Sequence, residues 1–288
     1  MITASDIAKL RSQTGAGMMD CKNALEEAGG DNEKAAELLR KKGIVKAAKR
    51  ADKIAADGKI VVAVSPDNTK GVVVEVNSET DFVAKSDDFS AFSQLVADGI
   101  LANTPADLAA LGNVKLSSGK TVNETVSELT LKIGEKISVR RFAAFSGEVV
   151  ATYLHGSKIG TMVELKGGDA ALALEVAMHV AASNPKYLKR EEVDATEIEK
   201  EKAVYAEQLK VQNKPANIIE NILKGKLEKF YGEICLLEQA FIKDEDKTVG
   251  KLVAEKKAEI VRFARFELGE GIEKVTKDFA AEVAEQLK

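Results

Sequence analysis

Apolar residues recur at helical spacing over the first fifty positions, then give way to valine-rich runs that read as strands. Ile7 and Leu10 share a face of a first helix, with Ser5 placed to cap it and Gly15 to stop it. A second helix starts near Met18, carries Cys21, Ala24, Leu25 and Ala28, and breaks at Gly29-Gly30. Asp31 is placed to cap a third, which holds Ala35, Leu38 and Leu39 and ends at Gly43. Residues 44–54 read as a helical connector. Beyond them, 59–64 and 71–76 are rich in valine and flank the turn residues Ser65-Pro66-Asp67-Asn68, a β-hairpin. Helical spacing returns over 89–101.

The hairpin recurs. Gly58 and Gly71 are 13 positions apart, as are Gly147 and Gly160, so Val72-Val73-Val74-Glu75-Val76 aligns with Thr161-Met162-Val163-Glu164-Leu165 at an offset of 89. A helix follows each copy, over 89–101 and 172–183. Each half closes on a related strand, Val139-Arg140-Arg141-Phe142-Ala143-Ala144-Phe145 and Ile260-Val261-Arg262-Phe263-Ala264-Arg265-Phe266. Matching spacing and element order predict a duplicated core of hairpin, helix, insertion and closing strand.

The second half carries charged helix-forming segments over 196–211 and 215–230, split by Asn213-Lys214-Pro215. They predict an antiparallel helical hairpin, with Val204, Leu209 and Val211 facing Ile218, Ile219, Ile222, Leu223 and Leu227. A last helix is expected over 277–286, with Phe279, Val283 and Leu287 on one face. The expected fold is α+β. Residues 1–54 form an N-terminal three-helix domain with its connector, and 55–145 and 146–276 two related core subdomains. A helical hairpin is inserted in the second at about 196–230, and 277–288 form a C-terminal helical module.

Composition narrows the function. The chain has 288 residues, enough for about two domains. Lys and Arg number 42 against 46 Asp and Glu, a net charge of −4 that disfavours broad sequence-independent nucleic-acid binding. The exception is residues 40–53, with Arg40, Lys41, Lys42, Lys46, Lys49, Arg50 and Lys53 against Asp52 alone. A solvated face is the usual meaning of such a run, and an RNA or ribosome contact is its functional alternative. Two cysteines, Cys21 and Cys235, make no disulfide framework. No apolar run is long enough to span a membrane, and residues 1–6 show no signal-peptide pattern, so a cytoplasmic protein is expected.

Candidate chemistry fails on spacing. Gly119-Lys120-Thr121 resembles the end of a phosphate loop, but Val114 stands where the loop needs its first glycine. Gly15-Ala16-Gly17 and Gly269-Glu270-Gly271 meet Asp20 and Lys274 where a dinucleotide fingerprint needs its third glycine. His155 and His179 are the only histidines and have no partner at zinc-ligand spacing, so neither metal nor cofactor is expected. His155 and Ser157 share one strand face, most simply in a solvated hairpin turn. That leaves Asn77-Ser78-Glu79-Thr80-Asp81-Phe82-Val83-Ala84-Lys85, between a strand and a helix. Its Phe82 is either tucked into the local core or an exposed apolar wedge beside a carboxylate.

Five segments carry a resemblance: Thr14-Gly15-Ala16-Gly17-Met18-Met19-Asp20-Cys21-Lys22, Glu79-Thr80-Asp81-Phe82-Val83-Ala84-Lys85, His155-Gly156-Ser157-Lys158-Ile159-Gly160, Ala177-Met178-His179-Val180-Ala181-Ala182-Ser183 and Arg265-Phe266-Glu267-Leu268-Gly269-Glu270-Gly271. In this order, over essentially the whole chain, the sequence resembles the bacterial translation elongation factor Ts family, exchange factors for the GTPase elongation factor Tu. The resemblance implies a ubiquitin-associated-like N-terminal domain, a core of two related subdomains, a protruding helical hairpin and a C-terminal module. It implies a protein that is not an enzyme, binds no nucleotide itself, and acts on elongation factor Tu in its GDP-bound and nucleotide-free forms. Thr80, Asp81, Phe82 and Val83 would enter the partner's GTPase domain and disturb its Mg²⁺ site, with Phe82 as the wedge. Met18, Met19 and Asp20 would contact the same domain, and His155 the region of its phosphate loop. Ser157-Lys158 departs from the Ala-Arg of some relatives and keeps the charge.

Overall fold

The computed structural model of the chain describes residues 2–210 and 216–273. Its elements run α1 (Ala4–Thr14), α2 (Met18–Glu27), α3 (Asn32–Lys49), β1 (Asp57–Val64), β2 (Lys70–Ser78), α4 (Asp81–Ala84), α5 (Asp87–Asn103), α6 (Leu108–Gly112), α7 (Val122–Ile133) and β3 (Ser138–Ser146). They continue as β4 (Val149–His155), β5 (Ile159–Lys166), α8 (Ala170–Ser183), α9 (Ala195–Lys210), α10 (Ala216–Ile234), β6 (Ala240–Phe241), β7 (Asp244–Thr248), α11 (Val249–Glu255) and β8 (Glu259–Glu267). The fold is α+β. It divides into two compact units: residues up to Ile60 with Glu75–Phe142 and the stretch from Glu267 on, and Val61–Val74 with Ala143–Phe266.

In the first unit, α1 is capped by Thr3 rather than Ser5. Thr3 Oγ1 accepts from Asp6 N, and Asp6 Oδ2 accepts from Thr3 N at 2.9 Å, so two otherwise orphaned donors are satisfied reciprocally. Gly15 ends α1 in the left-handed conformation, at φ 69°. Asp31 caps α3 as expected, accepting from Glu33 N and Lys34 N. Gly43, expected to end this helix, lies inside it. Because it lacks a side chain, α3 crosses α7 closely; a Cβ at this position would stand 3.0 Å from Ser127 O. The helix therefore runs on through part of the expected connector to Lys49. Leu10, Cys21, Ala24, Leu25, Ala35 and Leu39 form one apolar cluster, which Leu131 of α7 completes.

The duplication is visible in the sheets. β1, β2 and β3 form a three-stranded sheet in that order, and β4, β5 and β8 a second. β4 and β5 pair antiparallel from Val149 opposite Leu165 to His155 opposite Ile159. Each central strand buries a glutamate, Glu75 in β2 and Glu164 in β5. Arg141 Nε donates to Glu75 Oε2 at 2.6 Å, and Arg262 Nε donates to Glu164 Oε2 at 2.6 Å. These are equivalent positions of the two sequence echoes. Glu75 also accepts from Arg140, from Asn77 Nδ2 and from Gly269 N. Burial opposes its charge, but Gly269 N–H, Arg141, Asn77 and Arg140 outweigh that and hold the carboxyl below its ordinary value.

In the second unit, α8 lies on the β4–β5 pair, and its Val176, Ala177 and Val180 join Val163, Leu165, Leu236 and Phe241 in the core. α9 and α10 pack on one another, and Lys226 stands 4.7 Å over the Tyr205 ring. Of the apolar residues expected to face the second helix, Leu209 is buried, whereas Val204 is about half exposed. Val211, the Asn213-Lys214-Pro215 turn and the helix expected over 277–286 lie outside the described residues.

Candidate functional site

A set of engaged polar groups surrounds the turn that leaves β2. Thr80 caps α4: its Oγ1 accepts from Val83 N at 3.4 Å. Glu135, just beyond α7, takes both remaining donors of Thr80. Its Oε2 accepts from Thr80 N at 3.0 Å and its Oε1 from Thr80 Oγ1 at 2.8 Å. On the other side, Glu79 Oε1 accepts from Lys136 N at 2.6 Å and from the Arg50 guanidinium at 2.5 Å. Lys136 Nζ in turn donates to Ala51 O and Lys53 O. Ser78 Oγ donates to Thr80 O at 2.9 Å. The turn is thus pinned to the end of α3 and to the loop after α7.

What the turn displays is Phe82. It is 82% exposed, the most exposed large hydrophobic residue among those described, while Val83 is half-buried and Ala84 buried. The alternative in which Phe82 tucks into the core is therefore excluded. Beside it, Asp81 Oδ2 accepts from Lys85 Nζ at 2.6 Å, and this hydrogen bond lowers the carboxyl below its usual range. A ring this exposed buries little apolar surface in the fold. A ring of this kind is the residue type that anchors interfaces.

Met18 and Met19 open α2 on the same unit and are 60% and 65% exposed. Asp20 sits in the first turn of that helix, where its charge suits the helix dipole. His155 stands exposed at the end of β4 in the second unit, 3.2 Å from Tyr153 Oη through Nδ1, and Gly156 makes the turn at φ 60°. The expected solvated hairpin turn is what the structure shows locally.

The other candidates are engaged elsewhere. Lys120 Nζ pairs with Glu128 at 2.6 Å, and Thr121 forms a capping box with Glu124, so Gly119-Lys120-Thr121 is the start of α7. His179 is buried; its Nδ1 accepts from Ile242 N and its Nε2 donates to Gln239 Oε1 at 2.9 Å. Desolvation holds its pKa below the ordinary value. Cys21 and Cys235 are buried free thiols, and burial pushes Cys235 up to about 11. Within the basic run, Arg40 pairs with Glu124, Lys41 with Glu37, Lys42 with Glu27 and Arg50 with Glu79. Those pairs leave less charge for a polyanion than the sequence suggests. Among the described residues no group of His, Cys, Asp or Glu has the makings of a metal site, and no helix is long and apolar enough to cross a membrane.

Sequence reasoning missed Glu135, Lys136 and the structural use of Arg50. Nothing local marks them, because each acts on a turn far away in the chain.

Comparison with known proteins bears on the whole chain. A family model described as elongation factor TS matches residues 79–270. Elongation factor Ts of Alkalilimnicola ehrlichii is 51% identical over 289 aligned residues, covering 100% of this chain and 99% of its own length. That of Methylococcus capsulatus is 48% identical over the same shares. That of Xanthomonas oryzae pv. oryzae is 48% identical, over 99% of this chain and 98% of its own.

Proposed function

The chain belongs to the elongation factor Ts family, a family of translation elongation factors, and on that premise we propose that it is the guanine-nucleotide exchange factor of elongation factor Tu. The observation that carries this reading is Phe82, almost fully exposed on a turn whose backbone is held from both sides. In this reading Thr80, Asp81, Phe82 and Val83 enter the partner's GTPase domain. Phe82 wedges apart the packing behind its Mg²⁺ site, and the Asp81 carboxylate disturbs the polar network on the metal side. Met18, Met19 and Asp20 dock the N-terminal domain of residues 1–54 on the same GTPase domain. His155 reaches the partner near its phosphate loop from the second core subdomain.

The energetics follow from linkage. GDP on a GTPase is held mainly by loop N–H groups and by Mg²⁺ on its phosphates. A factor that loosens those contacts binds the nucleotide-free partner more tightly than the GDP form, and it weakens GDP binding by no more than that difference in affinity. Coupling is reciprocal, so incoming GTP displaces the factor. No covalent bond is made or broken by the factor, which acts in the cytoplasm and carries no nucleotide, cofactor or metal of its own.

The test is release of labelled GDP from elongation factor Tu with and without this protein. Acceleration at catalytic concentrations of the factor supports the reading. Unchanged release, together with salt-dependent RNA binding, would replace it with a role for the basic run of residues 40–53.

A further inference from the structure

We propose that Glu135 is a positioning residue that holds the turn of residues 80–85 in the one shape that displays Phe82; this rests on the reading of Phe82 as the wedge. α4 has four residues and is too short to hold itself by its own helical hydrogen bonds. Phe82, exposed as it is, packs on too little to fix its own direction. The direction of the ring is therefore dictated by the backbone beneath it, and that backbone is fixed at Thr80.

Thr80 presents two donors, N–H and Oγ1–H, and both go to one carboxylate, at 3.0 and 2.8 Å. With its hydroxyl hydrogen directed at Glu135, Oγ1 turns a lone pair to Val83 N. The relay from Glu135 through Thr80 to Val83 orients the first turn of α4 without touching Phe82. Hydrogen bonds to an ionised acceptor are the stronger kind, and here one side chain makes two. Glu79, tied to Arg50 and to Lys136 N, braces the preceding residue from the side of α3. A wedge already in its bound shape avoids the entropy of ordering it in the step that loosens GDP.

Glu135→Gln is the direct test, because the amide keeps the shape but offers a single acceptor oxygen where two donors converge. Thr80→Val removes the hydroxyl at constant volume, and Thr80→Ser restores it. Hydrogen–deuterium exchange of residues 80–85 in the free, full-length protein should rise about tenfold in Glu135→Gln and in Thr80→Val, the scale of one lost hydrogen bond to a charged group. It should remain near wild type in Thr80→Ser. In the exchange assay, Glu135→Gln, which alters no residue of the entering segment, should lower the maximal rate of GDP release about tenfold and leave the half-saturating concentration within about twofold, because docking by Met18 and Met19 is untouched. Unchanged protection of residues 80–85 in Glu135→Gln would overturn the proposal. So would exchange that rises equally throughout the chain, or a loosened turn with a normal maximal rate. Failure of the wild type to accelerate GDP release would defeat the proposed function instead, while the hydrogen-exchange comparison would still decide whether Glu135 holds the turn.

Discussion

Glu75 and Arg141 meet at 2.6 Å through Oε2 and Nε, and Glu164 meets Arg262 at the same distance through the same atoms in the second sheet. The two pairs differ in surroundings. Glu75 is fully buried and gathers Arg140, Asn77 and Gly269 N as well, whereas Arg262 is about half exposed and stacks 4.2 Å over Phe145. Unequal costs follow. Glu75→Gln removes the buried charge that Arg140 and Arg141 share and should lower unfolding free energy by about 3 kcal/mol. Glu164→Gln should lower it by about 1 kcal/mol, since its ion pair is partly solvated. Urea denaturation of both variants checks the order; equal costs would contradict it.

These pairs also show what the sequence made legible. The glycine spacing and the two Arg-Phe echoes put Glu75 with Arg141 and Glu164 with Arg262 at matching positions, so the duplicated core could be read from local pattern. The exposed Phe82 was recognisable as one of two alternatives, because an aromatic residue among acids does not declare its side. Glu135 was not legible. It lies 55 residues from Thr80, and only the folded chain brings its carboxylate to that cap. Gly43 misled for the opposite reason: local propensity marks glycine as a helix end, while here it sits within the helix at a close crossing with α7.

Gly43 therefore reverses an ordinary expectation. Glycine to alanine inside a helix normally stabilises by up to about 1 kcal/mol. At this position the added methyl meets the backbone oxygen of Ser127 at 3.0 Å, so the crossing must give by a few tenths of an ångström to admit it. Gly43→Ala should lower stability by about 1–2 kcal/mol, the usual range for overpacking. A raised denaturation midpoint would contradict the close crossing.

His179 gives the fold an acid sensitivity. Its Nδ1 faces Ile242 N–H and its Nε2 faces Gln239 Oε1, so a second ring proton has no acceptor waiting. The folded pKa lies below the ordinary 6.5, so the unfolded chain binds the extra proton first as pH falls. The stabilisation is fully present above pH 6.5 and is lost as pH falls from there toward the folded pKa. Thermal unfolding of the wild type should show this slope, and His179→Gln should flatten it.

The most direct test of the central claim is Phe82→Ala, measured by GDP release from elongation factor Tu and by denaturant unfolding of the same protein. Phe82 is 82% exposed, so truncation should leave unfolding free energy within about 0.5 kcal/mol of wild type. Loss of an apolar contact of about 2 kcal/mol made only with the partner should slow stimulated release roughly thirtyfold. Stimulated release that stays within about twofold of wild type, with the fold intact, would contradict the claim that this ring is the wedge.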